Sequence, residues 1–96
     1  MASLVLPHIL SHADAAGCAR MLAQAIGASK EPRAVVDASA LEHFDSSALA
    51  VLLDARREAL AQGMAFSVTA MPARLRALAA LYGVDDLMPD PEAATA

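Results

Sequence analysis

Strand-type and helix-type apolar patterns alternate along this 96-residue chain, and that order leaves few folds open. Leu4-Val5-Leu6 is a short apolar run ended by Pro7. It reads as a strand near a sheet edge, because proline cannot donate to a ladder. Ser11 and Asp14 form a capping-box pattern. Behind them Ala15, Cys18, Leu22, Ala25 and Ile26 recur at helical spacing up to Gly27. Ser29-Lys30-Glu31-Pro32 is a polar turn into Ala34-Val35-Val36-Asp37-Ala38, a run typical of a strand covered on at least one face. A second helix is expected from Ser47 to about Gln62, with Gly63 as its cap. Phe66, Val68 and Ala70 then alternate with Ser67 and Thr69 as a half-buried strand. Pro72 opens a third helix with Leu75, Leu78, Ala79 and Tyr82 on its stripe, and Gly83 stops it. Strand, helix, strand, helix, strand, helix favours parallel neighbours joined by right-handed crossovers.

Composition narrows what such a fold can do. A hydrophobic share of 57% fills a compact core, and 3% aromatic residues means that Ala, Leu, Val and Met must fill it. A formal net charge of -4 argues against nucleic acid, which rewards clustered Lys and Arg. No run approaches the ~18 apolar residues that a membrane span requires. Met1-Ala2-Ser3-Leu4 lacks the basic start of a signal peptide, and one cysteine implies no disulfide. The expectation is a cytoplasmic protein with one domain over residues 1–89 and a frayed tail over 90–96.

The chemistry-bearing stretch is Phe44-Asp45-Ser46-Ser47-Ala48-Leu49, between the second strand and the second helix. Asp and Ser at a helix start accept bonds from its free N–H groups, so ordinary N-capping explains Asp45, Ser46 and Ser47. Two adjacent hydroxyls at a positive helix end are also placed to meet a phosphate or to carry one. With Leu49, Leu52, Leu53 and Leu60 turned inward, Ser47, Ala50, Val51 and Asp54 are expected to face outward. His43 near the serines lacks the oriented third group of a nucleophilic triad. His8 and His12 show no metal-ligand spacing with Cys18, which reads as a small core residue. No glycine-rich phosphate loop is present, so nucleotide hydrolysis by this chain alone is not expected. With no base or metal-ligand set either, the expectation is no enzyme, no cofactor and no metal. Arg56, Arg57 and Glu58 read as a solvated face with Asp54 as a pairing partner. Arg74 and Arg76 read either as solubilising charge or as contacts to an acidic partner or anionic lipid.

The run Val36-Asp37-Ala38-Ser39 through Phe44-Asp45-Ser46-Ser47-Ala48-Leu49-Ala50-Val51-Leu52-Leu53 resembles the STAS domain family. The ending Leu78-Ala79-Ala80-Leu81-Tyr82-Gly83-Val84 with Leu87-Met88-Pro89 is similar to the MlaB group within that family. The resemblance implies an α/β STAS-like fold: a mixed, mostly parallel sheet of about four strands, helices mainly on one face, and no usual first strand. It implies a non-enzymatic subunit docked on the cytoplasmic ATPase of an ABC-type phospholipid transporter, and through it on the permease, peripheral to the inner membrane. Such transporters maintain outer-membrane lipid asymmetry. The partner surface it implies is Asp45, Ser46, Ser47, Ala48, Ala50, Val51 and Asp54. Ser46 matches the position of the MlaB group's threonine. Ser47 matches the serine phosphorylated in anti-sigma factor antagonists, so a phosphorylation switch at Ser47 or Ser46 stands as the alternative. A sheet that starts one strand late would expose an edge for a homodimer.

Overall fold

The computed structural model describes residues 4–91. Its elements are β1 (Leu4–Val5), β2 (Ile9–Leu10), α1 (His12–Ala28), β3 (Arg33–Asp37), β4 (His43–Phe44), α2 (Ser47–Ala61), β5 (Ala65–Thr69), α3 (Ala73–Leu81) and a 3-10 turn (Asp85–Leu87). The signal-peptide reading of Met1-Ala2-Ser3 and the tail beyond Pro91 lie outside the described residues.

The architecture is α/β with parallel strands, consistent with the STAS-like fold anticipated above. Strands β1, β3 and β5 form a three-stranded sheet in that order, and β2 pairs with β4 in a separate two-stranded ladder. Every pairing among the described residues is parallel, so the mixed sheet anticipated above is a parallel one split in two. Order β1-β3-β5 steps in one direction, and two right-handed crossovers that step the same way leave their helices on the same face. Accordingly α1 and α2 pack closely against one another. The sheet carries the imprint of that layer. Leu4, Val36 and Val68 lie in register across its strands and are all buried, whereas Val5, Asp37 and Thr69 on the opposite face are not.

The α1 stripe falls where the spacing put it, on Cys18, Leu22 and Ile26. The Asp14 carboxylate accepts the Ser11 backbone N–H at 3.1 Å and its hydroxyl at 2.9 Å, so the capping box is formed. The buried stripe of α2 differs from the leucine line. Ala48, Leu49, Val51, Leu52, Ala55 and Ala59 are buried, Leu53 is half-buried, and Leu60 is 49% exposed. Positions 48, 55 and 59 define the true centre of the helix's inner face, which is alanine. Small side chains on that line let α2 approach both its neighbours, and the apolar arc widens to take in Val51 on one flank. Leu60, two turns beyond Leu52, has rotated out of the arc.

Gly63 and Gly83 close α2 and α3 with φ of +76° and +72°, as their sequence positions promised. Ala70, expected to continue the inward set of β5, lies instead beyond the strand, exposed and with φ of +56°. Arg74 and Arg76 both have internal roles. The Arg74 guanidinium stacks over the Phe44 ring at 4.6 Å, and Arg76 Nη1 donates to the Met88 carbonyl at 2.7 Å.

Candidate functional site

The site is built by the small ladder. Its register pairs Ile9 with His43 and Leu10 with Phe44, and each stub is followed almost at once by a helix. The His8 carbonyl accepts the N–H groups of Glu42 and His43 at 2.8 and 2.9 Å and anchors the ladder's beginning. Two parallel stubs in register deliver two helix starts side by side. Both starts carry unsatisfied N–H groups and partial positive charge.

One carboxylate serves both. Asp45 Oδ1 accepts the Ser47 N–H at 2.8 Å, and Asp45 Oδ2 accepts the His12 N–H at 3.0 Å. The Asp45 carbonyl also accepts the Ala48 N–H at 3.1 Å, so Asp45 works as the functional cap of α2 while tying it to α1. Its carboxyl is held below the usual carboxylate range, first by the Ser47 N–H, then by the Ser47 side chain and the His12 N–H. Ser46 contributes no side-chain cap bond and is exposed. The capping that the sequence spread over three residues is therefore concentrated in Asp45, which leaves Ser46 presented at the surface. On the other side of the turn the Arg74–Phe44 stack holds the residue that precedes Asp45.

Between the helices, below the tie, lies an open groove of about 380 Å³ lined by His12, Ala15, Ala16, Ala19, Ser47, Ala50, Val51 and Asp54. Its floor is made of small apolar side chains. Asp54 is paired across one helical turn with Arg57 at 3.0 Å, as the sequence suggested. That pair is solvent-exposed and contributes little to stability.

The anticipated surface residues divide. Asp45, Ser46, Ala50 and Asp54 are exposed and Ser47 is half-buried, all around the turn and the groove. Ala48 and Val51 are corrections. Ala48 is fully buried, because its helical position puts it on the inner alanine line, and it offers a partner no surface. Val51 is 1% exposed and forms part of the groove floor under α1 rather than an outward contact. Sequence reasoning missed the α1 wall, above all His12, Ala15, Ala16 and Ala19. A signal was present: an apolar or half-apolar pair precedes a capping residue both at Ile9-Leu10-Ser11 and at His43-Phe44-Asp45.

Nothing at the site assembles a nucleophile with an oriented base. His43 lies on β4, and Cys18 is buried on α1, where burial and then the Asp14 carboxylate push its thiol pKa up. No group of His, Cys, Asp or Glu among the described residues could hold a metal ion. What the arrangement offers is a rigid turn beside a shallow apolar groove.

A parallel α/β domain with three helices is consistent with a small STAS-like domain. The family model described as "Mlab, STAS domain" matches residues 8–89, and the chain belongs to that family. No curated protein matches the chain.

Proposed function

We propose that the chain is a non-enzymatic accessory subunit of an ABC-type phospholipid transporter that maintains outer-membrane lipid asymmetry. It binds and supports the ATPase subunit at the cytoplasmic face of the inner membrane and reaches the permease only through it. The supporting observation is the Asp45 tie. A turn held by two helices presents Ser46 without a capping duty, next to a groove whose floor can receive an apolar side chain. Contacts fall to Ser46, Ser47, Ala50 and Asp54, with Asp45 as the residue that fixes their geometry. Membership of a family described by the MlaB name supports the transporter setting. No described helix is long and apolar enough to cross a membrane, which is consistent with attachment through a partner.

The adjacent hydroxyls favour one second reading, a phosphorylation-switched antagonist of an anti-sigma factor. Phosphate on Ser47 would bring about -1.5 to -2 charges beside Asp45, whose Oδ1 holds the Ser47 N–H, and would break the tie from within. Affinity recovery of the tagged chain from its native membranes, with intact-mass measurement, separates the two. An ABC ATPase and permease recovered with unmodified chain supports the transporter subunit. A soluble kinase-like partner, with added phosphate mass on the chain, overturns it in favour of the switch.

A further inference from the structure

Strand β5 lies at an edge of the three-stranded sheet. The Ala65 N–H donates inward to Pro32 at 3.0 Å, so by alternation the N–H of Val68 points away from β3. An outward N–H on an edge strand invites another chain. The β5 sequence Ala65-Phe66-Ser67-Val68-Thr69 sharpens the invitation, since it has no charge and no proline and is rich in β-branched and aromatic residues.

The chain's own C-terminal region answers it. The Val68 N–H donates to the Pro89 carbonyl at 2.9 Å. Met88, just before, is fully buried, and Val84 and Leu87 pack against the core. From α3, Arg76 Nη1 reaches the Met88 carbonyl at 2.7 Å and the Asp85 carbonyl at 3.4 Å. Pro89 and Pro91 have no N–H, so the covering segment cannot extend the ladder outward with donors at those positions. A cationic side chain near the start of α3 gains nothing from the helix dipole. Its place is explained by the carbonyls it holds.

We propose that residues 85–91 form a strap that seals the β5 edge against a second copy of this chain, with Arg76 as its latch. When the latch opens, β5 of one copy pairs with β5 of another. A second copy is the occupant because an uncharged five-residue strand can pair with itself in antiparallel register across a two-fold axis.

The test compares the wild-type chain with Arg76→Ala by light-scattering mass over a wide concentration range and by amide hydrogen exchange at Val68. Exchange at Val68 in the variant is expected to quicken about ten- to hundredfold, the factor carried by a lost charge-assisted hydrogen bond. The mass is expected to rise with concentration toward a dimer. Adding Ser67→Lys, a charge on the freed edge, should restore the monomer and so distinguish strand pairing from misfolding. If Arg76→Ala does not fold, Arg76→Gln keeps the packed stem while shortening the reach to the carbonyls and is read the same way. Unchanged Val68 exchange overturns the latch. Faster exchange with a monomer at every concentration overturns the pairing, and a dimer that survives Ser67→Lys does the same.

Discussion

Replacing Leu52 with alanine tests how α2 is turned. Leu52 is fully buried between the sheet and the rest of the core. The substitution removes three buried carbon groups, each carrying about 0.8 kcal/mol of transfer free energy, so about 2.4 kcal/mol is lost before any cavity is counted. The void between rigid elements adds to this, which puts the expected loss at about 3–4 kcal/mol, inside the range seen for buried leucines. In a domain of this size that lowers Tm by at least about 12 °C. Leu60→Ala is the internal control: with Leu60 49% exposed, its cost should stay within roughly 1 kcal/mol. Urea unfolding followed by far-UV circular dichroism gives both numbers from the midpoint and slope. Equal losses for the two leucines, or a larger loss for Leu60, would refute the alanine-centred inner face and with it the groove that depends on this phase.

Other outcomes follow from the same geometry. Asp45→Asn keeps one acceptor oxygen but turns an amide N–H₂ toward a second helix start, so it should lower Tm at neutral pH although asparagine caps a single helix well. Because the folded-state pKa of Asp45 is depressed, its contribution is complete above the unfolded value near 3.8 and is lost as pH falls through the folded one. The Tm gap between wild type and Asp45→Asn should therefore shrink in thermal melts taken below about pH 4; a gap independent of pH would count against the tie. Val51→Ala should cost about 1.6 kcal/mol in urea unfolding, from two buried methyl groups, whereas an outward valine would cost almost nothing. Gly63→Ala meets open space but sits at φ of +76°, and it should cost about 1 kcal/mol through backbone strain alone.

Much of this fold is legible in the residues. The alternation of β1, β3 and β5 with the three helices, the α1 stripe from Cys18 to Ile26 and the glycine stops at 63 and 83 follow from spacing and backbone chemistry, whereas the two-residue strands β2 and β4 are too short to show a period. The Ser11–Asp14 box follows from them too. The phase of α2 was harder, because apolar size drew attention to leucine while the helix's centre is an alanine line with nothing large to announce it. Ala70 reads as the end of an alternating strand, and nothing in its residue type announces a φ of +56°. The turn at Asp45 is marked by its own residues, but its partner at His12 lies 33 positions away and contributes a backbone N–H, which no side-chain pattern reveals. Arg76 is similar: its ligands are carbonyls of a later segment, so sequence shows only an arginine in an unfavourable place.

On the proposed function, the turn and groove form the surface that meets the ATPase. Ala50 tests it most directly, since it is exposed on the groove wall and bears no fold duty. Binding of the purified ATPase subunit to wild type and to Ala50→Arg should be measured by calorimetry, with Tm recorded for both. Tm is expected to be unchanged and affinity weakened by at least about tenfold, or ~1.4 kcal/mol. Equal affinity for the two chains would contradict it and remove the groove from the interface.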